Sequence, residues 1–244
     1  SGEIELVHNA IEHCGRDIVL SLSCGPAPRD KAEHLCRFAN LWRTTGDFWD
    51  DWNDLYHAFE ICHEWEGVGG PGHWPDADML PFGHLAIRAT ERGWGERWTH
   101  FTQDEQITLM TLWCIFRSPL MVGAELNDND EFTLNLLTND EVLALLKDGR
   151  NARQVYREER YNYAGEVIVW KAEDEAGAAY CAVFNCGPKA RDLAVQLQST
   201  LDLPEGKYAG RDLWAHEEVP VGAHALEVVV PSHGARLIKL TRAE

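Results

Sequence analysis

The chain has 244 residues, enough for one large domain or for a medium and a small one. Its 22 Lys and Arg face 40 Asp and Glu, a formal charge of −18, so nucleic acid and anionic membranes, which select basic patches, are poor partners. No apolar run approaches the ~18 residues of a membrane span, and no basic segment followed by an apolar core opens the chain.

The acidity is uneven. Residues 1–148 hold 10 Lys/Arg against 26 Asp/Glu, and residues 149–244 hold 12 against 14; eight of the ten tryptophans precede Lys147. An acidic, Trp-rich part suits a neutral polyhydroxylated ligand such as a sugar, and suits equally a solvated acidic surface around an aromatic core. Seven cysteines, odd in number and widely spaced, lack both zinc spacing and the look of a disulfide framework. With no Asn-x-Ser/Thr sequon, they favour a reducing compartment, and the cytoplasm is the expectation.

In chain order, Ile4, Val7, Ile11 and Cys14 fall at helical spacing, with Gly15 as a stop. Ile18–Ser23 reads as a buried strand, residues 30–38 as a helix, and residues 39–43 as a second strand. Residues 48–65 predict a helix with Trp52, Tyr56, Phe59 and Cys62 on one face, and the Gly-rich stretch 67–75 a loop. Thr102 with Glu105 predicts a capping box ahead of Ile107 and Met110, residues 119–122 a strand, and Thr138 with Glu141 the cap of a helix ending at Gly149. After Asn151 the period becomes two: 167–170, 180–184, 193–197, 226–230 and 236–240 read as strands between Gly, Pro and Asn turns. Helix and strand thus alternate as βα units in residues 1–149, and residues 150–244 read as an antiparallel β-sandwich.

Parallel α/β folds present reactive side chains at the carboxyl ends of their strands. Three segments bring carboxylates there: Arg43–Asp47 with the following Asp50 and Asp51, Asp76–Asp78, and Glu125. Arg43 and Asp47 leave the same strand end. Asp47, partly dried by Trp42 and Trp49, suits a general acid with a raised pKa, although an adjacent guanidinium pulls the other way. Its rival role is a helix N-cap. Asp50 and Asp51 read as favouring the helix N-terminus, Asp76 as a turn residue and Met79 as core. No His-x-x-x-His or His-Glu-x-x-His spacing points to a metal, and no Gly-x-Ser-x-Gly elbow surrounds Ser23. No cofactor is expected.

Trp42-Arg43 with Asp47, residues 72–80 (Gly-His-Trp-Pro-Asp-Ala-Asp-Met-Leu), Arg117-Ser118-Pro119-Leu120 and residues 137–142 together resemble glycoside hydrolase family 27, the α-galactosidases and α-N-acetylgalactosaminidases. The resemblance continues through Asp212-Leu213-Trp214 and residues 233–240, so it spans nearly the whole chain. It implies α/β plus all-β architecture: the C-terminal half of a (β/α)8 TIM barrel, strands five to eight, then an antiparallel β-sandwich. By the same resemblance Asp47 matches the catalytic acid/base, Arg43 a sugar-binding arginine, and Asp78 and Met79 the sugar contacts of the seventh strand. Cys24 and Gly25 match the loop that reads the sugar's 2-substituent, where glycine leaves room for a bulkier group. Ala39 stands where the usual disulfide partner of Cys24 falls, so Cys24 is assigned no bridge.

Members of the family use a retaining mechanism with a second carboxylate, the nucleophile, in a Tyr-x-Lys-x-Asp-like sequence, and this chain has none. The expectation is therefore part of a retaining glycosidase for terminal α-D-galactosides that carries the acid/base but not the nucleophile, and is inactive alone. Its expected partners are a galactoside-type oligosaccharide and the missing N-terminal barrel half or a partner chain. Two alternatives stand: a catalytically silent carbohydrate-binding or structural module, and an inverting enzyme pairing Asp47 with Asp76 or Asp78.

Overall fold

A computed structural model describes residues 2–23, 25–87, 95–158 and 166–243. Helix α1 (Gly2–His13) ends where Gly15 takes a left-handed φ of +67°, a conformation that favours glycine. It buries no residue fully, and Leu6 and Val7 are exposed. Strand β1 (Ser21–Leu22) follows, then a single 3-10 turn (Arg29–Lys31) running into α2 (Ala32–Phe38), and β2 (Leu41–Arg43).

Helix α3 (Trp52–Trp65) starts four residues later than its apolar pattern suggests, because Asp51 caps it by accepting the Asn53 N–H at 2.8 Å. Its buried face is Leu55, Ala58, Phe59, Cys62 and Trp65, with Trp52 and Tyr56 only partly covered. Strand β3 (Trp74–Asp76) lies in register beside β2, and β1, β2 and β3 form one parallel sheet in that order. The parallel pairing continues as a bridge between Leu80 and Val122. Strands β4 (His84–Leu85) and β5 (Arg97–Trp98) pair antiparallel at the rim.

Helix α4 (Gln103–Phe116) has the expected capping box, with the Thr102 and Glu105 side chains each accepting the other's backbone N–H. It is buried almost all round, which explains why its sequence is apolar on every side. After α5 (Glu131–Leu137), helix α6 (Asp140–Asp148) is capped by Asn139, which accepts the N–H groups of Glu141 and Val142; Thr138 instead closes α5, so the Thr138–Glu141 pair is not the cap. Arg117 donates to the carbonyls of Leu146, Lys147 and Gly149, satisfying the exposed end of α6.

The remaining strands are β6 (Arg150–Arg157), β7 (Val167–Glu173), β8 (Ala179–Asn185), β9 (Arg191–Gln196), β10 (Tyr208–Asp212), β11 (Glu217–Val219), β12 (Ala225–Val230) and β13 (Ala235–Arg242). Six form an antiparallel sheet in the order β11-β10-β13-β8-β7-β6, and β12 and β9 pair separately. Alternation along β7 and β8 sorts the core into two. Val167, Val169, Cys181 and Val183 point toward β9 and β12, while Ile168, Trp170, Ala182 and Phe184 join the core built around α4. Both faces of these strands are covered, so their sequences are apolar over 167–170 and 179–184.

Candidate functional site

The site assembles where β2 and β3 end. Arg43 and Asp76 are register partners, and past β3 the chain turns so that Asp78 comes back toward Arg43. That turn places Asp78 at φ +84°, an unfavourable angle for a residue with a Cβ. Three hydrogen bonds hold it there: Asp78 N–H donates to Asp76 Oδ1 (2.8 Å), Trp113 Nε1 to the Asp78 carbonyl (2.9 Å), and Ala77 N–H to Ser118 Oγ (2.9 Å). Ser118 and Trp113 belong to the α4 end, so the buried helix braces the site from behind.

Arg43 Nη2 stands 2.6 Å from Asp78 Oδ2 and 3.6 Å from Asp47 Oδ1. It also donates to the carbonyls of Gly46 and Thr45, which bends the segment after β2 around the guanidinium. Arg43 and Asp78 are largely buried (10% and 14% of their side chains exposed), whereas the Asp47 side chain is 87% exposed. Arg43 Nε is buried without an acceptor among the described residues. Thr44 donates from both N and Oγ1 to the Asp76 carbonyl, at 2.9 and 3.1 Å. Burial pushes the Asp76 carboxyl above the ordinary carboxylate range, against the pull of the Asp78 N–H and of Arg43.

Asp47 is not a helix cap: α3 begins five residues on, with Asp51 as its cap. The expected partial drying of Asp47 by Trp42 and Trp49 is not found either. Trp42 is buried against Trp65 on the opposite side of β2, and the Asp47 carboxyl faces out at the rim. Met79 is half-buried, packed on Gly123 so closely that a Cβ there would collide with its sulfur. Gly25 takes φ +93° with open space around it, and its loop is tied to the site by Ala27 N–H donating to the Arg43 carbonyl at 2.8 Å. Cys24 lies outside the described residues.

One component escaped the sequence reading. Asp50, whose side chain is 2% exposed, does not act on the helix terminus; it ion-pairs with Arg97 of β5, with Nε to Oδ2 at 3.2 Å, and accepts the His100 N–H at 2.8 Å. These bonds outweigh its burial and hold its pKa below the usual carboxylate range. Arg97 also lies over the Trp49 ring. The β5 segment is thus clamped to the residues that follow Asp47. A second aspartate three residues after a candidate acid is the only hint of this in the sequence.

Among the described residues no group of three His, Cys, Asp or Glu side chains is arranged to hold a metal ion. What the arrangement offers is a largely buried guanidinium, a largely buried carboxylate that orients it, and a solvent-exposed carboxyl 3.6 Å from the same cation.

Comparison with known proteins gives this arrangement a family. The family model described as "Alpha galactosidase A" matches residues 2–148, and that of the alpha galactosidase C-terminal beta sandwich domain matches residues 164–240. The crystal structure of a family 27 β-L-arabinopyranosidase from Geobacillus stearothermophilus superposes with a TM-score of 0.92 at 49% identity, covering 99% of this chain and 54% of that one. A structure described as a putative α-N-acetylgalactosaminidase from Bacillus halodurans superposes at 0.81 with 40% identity, covering 99% and 54%. Alpha-galactosidase 2 of Arabidopsis thaliana is 26% identical over 235 residues, 96% of this chain and 54% of its own. The chain therefore spans about half the length of the relatives it matches. It belongs to glycoside hydrolase family 27, the family of the α-galactosidases.

Proposed function

We propose that this chain supplies the acid/base side of a retaining exo-glycosidase acting on terminal α-D-galactosides, as residues 1–149 of a (β/α)8 barrel and residues 150–244 of an appended β-sandwich. The observation that carries the reading is the Arg43 guanidinium held between the Asp78 and Asp47 carboxylates at strand ends. In the first step a nucleophilic carboxylate from outside this sequence attacks the anomeric carbon. The glycosidic C–O bond breaks, and Asp47 gives its proton to the departing oxygen. In the second step Asp47, now ionised, takes a proton from water as the water oxygen attacks the same carbon and the glycosyl ester opens.

Arg43, Asp78 and Met79 hold the sugar, with Gly25 beside its 2-substituent. The Asp78 carboxylate, ordered by Arg43 and the Phe48 N–H, supplies an acceptor of the kind sugar hydroxyls need. The inverting alternative has less support. The Asp76 carboxyl is buried and accepts the Asp78 N–H, while that of Asp78 is committed to Arg43 and to the Phe48 N–H.

The exposed apolar surface at the start of the chain supports a partner. Leu6, Val7, Ile18 and Val19 are open to solvent, and β1 pairs on one edge only among the described residues. That edge suits the other half of a barrel. The silent-module reading predicts the same surface, so activity decides between them.

The test joins this chain to an N-terminal family 27 barrel half and assays aryl α-D-galactoside, aryl α-N-acetylgalactosaminide and aryl β-L-arabinopyranoside. The last is included because L-arabinopyranose is the galactose ring without its hydroxymethyl group, and because of the 49% identity to a β-L-arabinopyranosidase. Hydrolysis that is lost in Asp47→Asn, with the anomeric configuration retained, supports the proposal. Equal turnover with Asn at 47 sinks the assignment of Asp47, and turnover of the arabinopyranoside alone replaces the substrate.

A further inference from the structure

His233 lies in the turn between β12 and β13 and takes φ +53°, a left-handed angle that is uncommon for a residue with a Cβ. The turn is fixed from its own side. Asn185, fully buried, donates from Nδ2 to the carbonyls of Val230 and Pro231 at 3.1 and 2.8 Å. Ser232 Oγ and the His233 N–H both donate to the Gly187 carbonyl, at 3.1 and 3.2 Å. From the other side, Thr108 Oγ1 of α4 donates to the His233 carbonyl at 2.7 Å. The turn thus presents the His233 ring rigidly to the starts of α3 and α4.

The ring meets two groups there. It stacks on the Trp52 indole with centroids 3.8 Å apart and planes 2° from parallel, and its Nδ1 donates to Glu105 Oε1 at 2.8 Å. Trp52 opens α3, directly after the Asp51 cap. Glu105 is buried and belongs to the capping box of α4, its Oε2 accepting the Thr102 N–H at 2.9 Å. Just before Thr102, the His100 N–H donates to Asp50 Oδ2 at 2.8 Å, and the Phe101 ring lies 6.2 Å from that of Phe48. Phe48, Asp50 and Trp52 therefore all rest on one frame, the last directly on His233 and the first two through residues 100–105. Backbone strain persists where the surrounding structure imposes it, and here it aims a single ring at the segment that follows Asp47.

We infer that His233, a residue of the β-sandwich, is a positioning residue for the acid/base: through Trp52 and Glu105 it holds residues 48–52 in place and so fixes the aim of the Asp47 carboxyl. Its catalytic consequence rests on the glycosidase reading. The Asp47 side chain is 87% exposed, so the backbone that carries it decides where the carboxyl points. A displacement of about 1 Å in a reacting group is enough to lower a rate about a hundredfold.

The experiment uses this chain joined to an N-terminal barrel half and compares kcat/KM for two substrates. Methyl α-D-galactoside has an alkoxide that must be protonated as it leaves, whereas 2,4-dinitrophenyl α-D-galactoside releases a phenolate that needs no proton. His233→Ala should lower the methyl-to-dinitrophenyl ratio about tenfold, a share of the ~100–10,000-fold that a positioned proton donor supplies. Trp52→Ala should lower it likewise, and the double variant should do no worse than the more affected single one. His233→Phe, which keeps a stacked ring, should recover part of the ratio. A packing role alone slows both substrates equally, so equal losses, or a ratio within about twofold of the parent's in both single variants, overturn the inference. Should the parent cleave neither substrate, or Asp47→Asn leave the ratio unchanged, the glycosidase reading fails instead, and the hold on residues 48–52 is judged in this chain alone by amide hydrogen exchange. Faster exchange of the Phe48 and His100 N–H groups in His233→Ala, with the β8 amides unchanged, supports it; exchange equal to the parent's overturns it.

Discussion

Asp78 Oδ2 is shared by two donors from the β2 side: Arg43 Nη2 at 2.6 Å and the Phe48 N–H at 2.7 Å. A single oxygen thus fixes both the guanidinium and the residue directly after Asp47. Removing it strands a largely buried cation and a backbone donor, the situation in which a broken ion pair is most destabilising. Asp78→Ala should cost about 2–3 kcal/mol in urea unfolding. Asp78→Asn, whose amide oxygen can still accept from Phe48, should cost about half as much. In the completed enzyme both should lower kcat/KM by at least about a hundredfold. An Asn variant as active as the parent would separate Asp78 from the chemistry.

The Asp50–Arg97 clamp makes a prediction with a definite pH window. Because the folded-state pKa of Asp50 is depressed, its contribution to stability is present above the ordinary carboxylate pKa and is lost as pH falls through the lower folded value. Asp50→Asn should therefore destabilise the chain at pH 7 by about 1–3 kcal/mol and weaken the fall in stability below about pH 4. Thermal unfolding from pH 3 to 7 measures both. Parallel curves for the variant and the parent would mean that Asp50 does not titrate with folding.

These two relationships also show what was legible in the sequence. Arg43 and Asp47 follow a short apolar strand, where a parallel sheet exposes side chains, and their neighbourhood is legible from that. Strand β3, which carries the chain to Asp78, starts inside the stretch 67–75 that the sequence reads as a loop, and only its pairing with β2 reveals it. Asp50 looks the same as Asp51 in sequence. Only the partner 47 residues away distinguishes a clamp from a helix cap, and no local pattern encodes a contact of that range. The strands of the second half divide likewise. Strands β7, β8 and β13 are buried on both faces or alternate cleanly, so their pattern is visible. Strand β6 is interrupted by register shifts, and β10 reads Tyr-Ala-Gly-Arg-Asp, whose pairing depends on β13 rather than on its own periodicity.

Asp76 carries the opposite sign to Asp50. Its pKa is raised by burial, so its neutral form is favoured in the fold; the stability this gives is complete below the unfolded pKa and is lost as pH rises through the folded one. Asparagine keeps the oxygen that accepts the Asp78 N–H and carries no charge to desolvate. Asp76→Asn is expected to be at least as stable as the parent at pH 7, by up to about 1 kcal/mol, with the advantage shrinking toward pH 4. A variant that is clearly less stable at pH 7 would show that the Asp76 charge is needed, most directly to balance Arg43.

The packing of α6 against the second sheet offers an acid-side test away from the site. Glu141, in the first turn of α6, accepts from Arg211 of β10 in bidentate fashion, Nε to Oε2 at 2.6 Å and Nη2 to Oε1 at 2.8 Å, and its Oε1 lies 2.6 Å from His216 Nδ1. The Arg211 hydrogen bonds lead in lowering its pKa from 4.5 to about 2. The shift is a stabilising one above pH 4.5 that disappears as pH falls toward 2. Both side chains are about one-third exposed, so solvent screening reduces the full linkage value to about 1 kcal/mol at neutral pH. Glu141→Gln should lose about that amount at pH 7 and unfold with a shallower dependence on pH between 4.5 and 2. Arg211→Lys, which keeps the charge and gives up the two-point geometry, should fall between the Glu141→Gln variant and the parent. Equal pH dependence in all three proteins would show that this cluster does not couple α6 to the sheet.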